Sequence, residues 1–388
     1  LIKTYALRCW NALASLQVTI LCLALLMALV VLCTLAQTEL GTLGAVTTYM
    51  RSWLVMRHLK GLPFAVPLFP GGALVGLVLV LNLCGTVIKR FEFSPQKAGL
   101  WLVHFGLILL VAGEFVTGAF QVETRMQIDV GQTVNFVESA RQMELAVTDS
   151  TDPGHDEAYG IPDSLLKKTG DYPLPGTPLT IRVSRFFANA TLKPRAPGDP
   201  ASPATMGVGA GVTIAEAPKV TNDNEMDFTS AFIEPIAGGR SYGTWLVSAG
   251  LGAPQSFIHE GRTYSLAMRN RRHYLPYSVT LKKFSHDVYP GTDIPKNFSS
   301  LVRLNNPARG EQRDVLIYMN QPLRYEGKAF YQASFGKGDT MSVLQVVENP
   351  GWLLPYISCI LITLGLLVHF GITLRRSIRQ RTETQAVA

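Results

Sequence analysis

Hydrophobic and polar positions follow two different regimes along the 388-residue chain. Four apolar stretches, at about 16–36, 71–88, 98–120 and 352–374, approach or exceed the roughly 20 residues a helix needs to cross a bilayer. Between 121 and 349 the pattern changes to short runs with a period of two, rich in β-branched residues and punctuated by Gly and Pro. Strands are predicted at 143–148, 179–186, 244–248, 263–268, 277–284, 314–319, 328–334 and 341–347, and one short helical turn at 163–168. The stretch 193–203 reads as a proline-rich loop. The fold class is therefore a polytopic α-helical membrane protein of four transmembrane helices. A large exported β-rich domain, a sandwich or barrel-like fold, is inserted before the last helix. Residues 1–120 carry three spans, 121–349 the β-rich domain, and 350–388 the fourth span and a cytoplasmic tail.

The formal net charge of +7 is unevenly placed. Residues 121–349 hold 23 basic and 24 acidic residues; the remainder holds 12 basic and 4 acidic. The excess lies beside the spans, which excludes a nucleic-acid surface and makes the charge topological information. Lys3 and Arg8 precede the first span, Lys89, Arg90 and Lys97 fill the loop between the second and third, and Arg375, Arg376, Arg379 and Arg381 follow the fourth. With four spans these clusters share one side, the cytoplasmic one by the positive-inside rule. Arg51, Arg57 and Lys60 lie in the opposite loop and run against the trend. The expected location is the inner (plasma) membrane, with the β-rich domain on the extracytoplasmic side and both termini in the cytoplasm.

The five cysteines, Cys9, Cys22, Cys33, Cys84 and Cys359, all fall outside the β-rich domain. That domain must be held by its own core, and no Cys-x-x-Cys pair is present for thiol redox work or haem attachment. Cys33 reads as a buried structural thiol.

His104 stands inside the third apolar run, where an ionisable ring costs free energy unless something satisfies it. It is a candidate ligand to haem iron, or a histidine that hydrogen-bonds a neighbouring helix. His369 lies in the fourth run. Counted from the span ends, both rings sit on the order of 8–9 Å inside the same face, so one iron between them is a possible arrangement. A histidine from a partner subunit is an equally valid opposing ligand. Glu114, ten residues beyond His104, reads as a carboxylate at the opposite interface. His155, His259, His273 and His286 show no zinc-site spacing, and His286-Asp287 reads as structural. Arg269-Asn270-Arg271-Arg272-His273 reads as a solvated basic loop, with haem propionates or lipid phosphates as its alternative partners. Gly207-Val208-Gly209-Ala210-Gly211 lacks the frame of a phosphate loop, and no catalytic constellation appears, so an independent enzyme is not expected.

Three ordered motifs carry a resemblance. They begin at Phe284-Ser-His-Asp-Val-Tyr-Pro-Gly-Thr-Asp-Ile-Pro-Lys-Asn-Phe-Ser-Ser, at Met319-Asn-Gln-Pro-Leu-Arg-Tyr-Glu-Gly-Lys-Ala-Phe-Tyr-Gln-Ala-Ser-Phe, and at Glu348-Asn-Pro-Gly-Trp. Together with the four-span plan, they make the chain resemble the ResB/CcsB family of System II cytochrome c biogenesis proteins. The resemblance implies a haem-binding accessory subunit that works with a CcsA-type membrane partner to export haem and attach it to apocytochrome c. It implies a transient haem b with His104 as an axial ligand. These residues hold no Trp-rich haem motif, so the partner is expected to be a separate chain. Thiol reduction, a role proposed for an exported cysteine in some relatives, has no counterpart residue here. The contrasting reading is a membrane-tethered β-domain scaffold without a cofactor; a cytochrome b subunit, which needs two histidine pairs at different depths, fits least.

Overall fold

The computed structural model describes residues 10–58, 63–90, 92, 94–152, 154–220, 225–292 and 295–387. Lys3, Arg8, Cys9 and Lys60 lie outside the described residues. Two units divide the chain: a helical unit made of Leu1–Val122 and Asn349–Ala388, and a β-rich unit made of Glu123–Val220 and Asn224–Glu348.

In the helical unit, α1 spans Leu16–Ala45, with the Ser15 hydroxyl accepting from the Val18 N–H at its start. The helix runs well past the apolar stretch, breaks at Gly41 (φ 68°), and passes into a π-helical turn at Val46–Met50. A hairpin of β1 (Leu54–His58) and β2 (Ala65–Pro70) then leads into α2 (Gly72–Arg90). A 3₁₀ turn at Pro95–Lys97 opens α3 (Ala98–Phe120), whose bounds match the predicted span. The last helix, α4 (Leu354–Val387), continues through Arg375–Arg381 beyond its apolar part. All four are long and apolar enough to cross a membrane.

The β-rich unit contains β3 (Val122–Asp129, its first residue belonging to the helical unit), β4 (Thr133–Asp149), β5 (Glu157–Pro162), β6 (Gly170–Pro173), β7 (Leu179–Phe187), β8 (Ala190–Pro194) and β9 (Val212–Glu216). It continues with β10 (Ser230–Ala237), β11 (Arg240–Ser241), β12 (Trp245–Ser248), β13 (Gln255–His259), β14 (Arg262–Val288) and β15 (Pro295–Asn306). The last strands are β16 (Glu311–Tyr318), β17 (Leu323–Tyr325), β18 (Lys328–Gly336) and β19 (Met341–Glu348). A helical turn at Asp163–Leu166 is the one expected from the pattern.

A ten-stranded sheet runs β16-β15-β14-β4-β3-β19-β18-β17, with β13 beside β14 and β5 beside β4. Its two ends nearly meet. The Tyr325 hydroxyl of β17 donates to Glu311 Oε2 of β16 at 2.8 Å and accepts from Asn306 Nδ2 of β15 at 2.9 Å. The result is a nearly closed, barrel-like sheet, the barrel alternative of the two predicted. A five-stranded sheet, β11-β10-β7-β6 with β12 on β10, covers the other end.

Each end has its own core. The barrel buries Met126, Ile128, Val279, Leu281, Phe330 and Leu344 among others; the second core joins Leu145, Val147, Ile181, Ile233, Tyr264 and Leu266. Strands β4 and β14 run through both, and this corrects one expectation. The basic segment 269–273 is not a solvated loop but the middle of the 27-residue β14, so two predicted strands are one. Two of its three arginines pair with the adjacent strand: Arg269 Nε donates to Glu144 Oε1 at 3.0 Å and Arg272 Nε to Glu138 Oε1 at 2.9 Å. The Arg272 guanidinium also lies 3.9 Å from the centre of the Phe136 ring. Paired in this way, the arginines let one strand continue between two hydrophobic centres.

Candidate functional site in the helical unit

The candidate site is built on the pairing of α3 with α4. Gly99, Gly106 and Gly113 are buried on α3, and their seven-residue spacing puts them on one face. A Cβ at Gly99 would stand 2.4 Å from the His369 backbone N and 2.6 Å from Gly365 O. A Cβ at Gly365 would stand 2.7 Å from Val103 N, so the two backbones touch with nothing between them. The contact continues from Gly106 to Ile362 and Ser358 O, and from Gly113 to Leu354. Small residues are what allow such an approach in lipid, where apolar transfer provides no drive for helix association. Asn349 Nδ2 donating to Thr117 Oγ1 at 3.2 Å ties the far end.

This seam fixes where the two candidate histidines stand. The His369 backbone lies against Gly99, five residues before His104, a rise of about 7.5 Å. At 100° per residue, His104 is turned roughly 140–160° round α3 from Gly99 and Gly106, away from the seam. The two imidazoles therefore have separate surroundings. The neighbours of the half-buried His104 ring are Leu100 and Trp101; that of His369 is Phe370, with ring centres 5.8 Å apart.

The His104 ring is oriented by its own helix. Its Nδ1 lies 2.8 Å from Leu100 O. A carbonyl only accepts, so Nδ1 carries the proton and, in the neutral ring, Nε2 carries the lone pair. This is the tautomer control commonly seen behind metal-bound imidazoles. Trp101, with its ring centre 6.2 Å from that of His104, donates from Nε1 to Glu92 O at 3.1 Å, which folds the connecting loop against the base of α3. Glu92 pairs with Lys97, whose ammonium holds the carboxyl below its usual range. Glu114 is exposed on the same helix.

One residue that meets the same criterion as His104 was not picked out from the sequence. Asn82 is fully buried in α2. Its Oδ1 accepts from Thr19 Oγ1 at 2.6 Å, and its Nδ2 donates to Leu13 O at 2.6 Å and Ser15 O at 2.9 Å. It thereby satisfies carbonyls freed where a helical turn at 10–13 is interrupted before α1. A polar residue in the apolar run 71–88 was the available signal. Cys33 is buried, in line with a structural thiol.

Of the remaining histidines, His58 ends β1 in the helical unit and the other four are dispersed through the β-rich unit. His155 pairs with Asp152 at 2.9 Å, His259 Nδ1 lies 2.6 Å from the Tyr242 hydroxyl, and His286 lies 3.2 Å from Asp339 with its ring against Phe335. Among the described residues no group of three or more His, Cys, Asp or Glu side chains could hold a metal ion. The turn at Gly207–Gly211 is packed rather than open: Gly209 is buried against Leu246, and Val208 N donates to Gln255 Oε1 at 2.9 Å.

Comparison with known proteins places a family match in the β-rich unit. Residues 236–343 match the model of the ResB-like family. A stretch of 93 residues, 24% of this chain, is 34% identical to protein NrfI of Wolinella succinogenes and covers 10% of that protein. A stretch of 79 residues, 20% of this chain, is 33% identical to the cytochrome c biogenesis protein CcsB of Crocosphaera subtropica and covers 17% of it. The matched stretches thus cover well under two thirds of these relatives' own length. The resemblance to ResB/CcsB proteins read from the sequence is borne out by these matches. The family match contains neither His104 nor His369.

Proposed function

We propose that this chain is a haem-binding accessory subunit of a System II cytochrome c synthetase complex, with His104 as an axial ligand to a membrane haem b. The observation that carries the reading is the conjunction of the ResB-like match at 236–343 with a tautomer-fixed, outward-turned His104. The residue fits the group: a neutral imidazole with Nδ1–H engaged leaves Nε2 free for iron. Bound haem supplies iron that exchanges one electron between ferric and ferrous states. The chain's own residues set the ring's orientation through Leu100 O and shield one side of it with Trp101.

Because the seam turns His104 away from α4, the opposing ligand comes from a partner, and a CcsA-type haem-handling membrane protein is the candidate. His369 then has a separate role at the seam. The basic residues beside α2, α3 and α4 support a cytoplasmic location for that face, which puts the β-rich unit on the extracytoplasmic side, where apocytochrome c is received. Haem export and covalent attachment are work shared with the partner.

The test is co-expression with a Trp-rich CcsA-type partner in a strain lacking both proteins. The expected result is c-type cytochrome maturation and co-purified haem with a b-type spectrum. Both fall in His104→Ala and persist in a surface His273→Ala control. Maturation without any His104-dependent haem would favour the cofactor-free scaffold reading and overturn the ligand assignment.

A further inference from the structure

The break in α1 creates a cleft that the haem reading does not use. Beyond Gly41 the chain turns through Val46–Met50 and lays β1 across the end of the helix. Val55 is buried there in a core shared with Cys22, Leu29, Val75 and Leu79, so the cleft has a packed wall. Between that wall and α1 lies a cavity of about 420 Å³, within the size range of small-molecule sites. Leu32, Leu35 and Met56 line its apolar side and are themselves well exposed; Glu39 and Arg57 supply its charges.

Two features bear on what enters it. Glu39 follows Leu16 by 23 residues, about 35 Å of helix, which is just past the hydrocarbon thickness of roughly 30 Å. The cleft mouth thus stands at headgroup level while Leu32 and Leu35 face acyl chains. Glu39 and Arg57 also line one cavity with opposite charges, yet among the described residues no ion pair joins them and no side-chain hydrogen bond engages either. Arg57 is one of the basic residues that runs against the charge trend of the loops.

We propose that this cleft binds one phosphatidylethanolamine-type lipid. Its phosphate meets the Arg57 guanidinium, its ammonium donates to the Glu39 carboxylate, and one acyl chain lies along Leu32 and Leu35. A zwitterion with a hydrogen-bonding cation satisfies both charges. A phosphatidylglycerol headgroup offers Glu39 hydroxyls but no positive charge, and a choline headgroup has no N–H to donate.

The experiment is native mass spectrometry of the purified full chain, equilibrated with equal amounts of phosphatidylethanolamine, phosphatidylcholine and phosphatidylglycerol. Soluble glycerophosphoethanolamine is added in a separate arm. The expected result is one retained phosphatidylethanolamine, favoured about tenfold over either competitor, as a charge-assisted hydrogen bond implies. Glu39→Gln should abolish the preference over phosphatidylcholine, and Arg57→Gln should lower retention of all three lipids. Glu114→Gln should change neither, and the soluble headgroup should fail to displace the lipid. Equal retention of the three lipids, a preference for phosphatidylglycerol, displacement by the soluble headgroup, or an ethanolamine preference untouched in both cleft variants would overturn the proposal.

Discussion

The α3–α4 pair and the barrel-like sheet are held together in opposite ways. In the helix pair, glycines bring backbone against backbone, and Gly99, Gly106 and Gly365 leave no room for a Cβ. In the sheet, large side chains such as Phe330 and Leu344 fill the interior and exclude water. The difference follows from the surrounding medium: lipid rewards close packing and satisfied polar groups, water rewards buried apolar area. It also separates the arguments for function. Kinship is carried by the water-facing type of structure at 236–343, whereas the candidate chemistry sits in the helical unit, where one polar ring in an apolar run stands out.

This contrast can be broken most forcefully in the barrel. Phe330 is fully buried, and Phe330→Ala should cost about 3–5 kcal/mol. Denaturant titration of the full chain in detergent should show a transition of the β-rich unit moving to lower concentration while the helical signal is unchanged. Gly106→Leu should do the reverse. Its Cβ would meet Ile362 Cγ1 at 2.7 Å and Ser358 O at 3.0 Å, so overpacking should cost the helix pair about 1–3 kcal/mol. Cysteine cross-linking between α3 and α4 should become inefficient, with the β-rich transition unmoved.

Asn82→Leu should have a smaller effect, on the order of 0.6–1.7 kcal/mol, from the average to the maximum found for hydrogen bonds between membrane helices. It removes the donor to Leu13 O and Ser15 O and the acceptor for Thr19, so thermal unfolding in detergent should shift down modestly. The smallest effect should come from acid. Arg303 and Lys282 hold the Asp314 carboxyl down at about 2, against an ordinary 3.8. A depressed carboxylate contributes stability above its unfolded value that is lost as pH falls from about 4 through about 2. Asp314→Asn should flatten that part of the pH–stability curve slightly, and its small destabilisation should be constant above pH 5 and shrink as pH falls towards 2.

Much of this architecture was legible in the chain. The four apolar runs all became long helices, and 98–120 became α3 residue for residue, because a hydrophobic run and its flanking charges mark both ends. The ends of α1 and α4 were not legible: Gln37–Glu39 and Arg375–Arg381 are polar, and hydropathy does not register a helix that continues into water. Each predicted strand falls on an observed one. However, β10 was missed because its side chains are buried on nearly every residue between β7 and β12, which removes the alternation. The unity of β14 was hidden because its arginines read as solvent-facing until Glu138 and Glu144 on β4 are known to oppose them. His104 stood out as an ionisable ring well inside an apolar run, but its direction did not. Rotation about α3 depends on the glycine seam, which only packing reveals.

The central claim is that His104 Nε2 ligates a membrane haem. Replacing His104 with Gly, co-expressing the partner and adding free imidazole to the purified complex tests it most directly. The account predicts that His104→Gly loses the b-type spectrum, that imidazole restores it, and that His369→Ala leaves it in place. A b-type spectrum that survives His104→Gly without imidazole, or that disappears in His369→Ala alone, would contradict it.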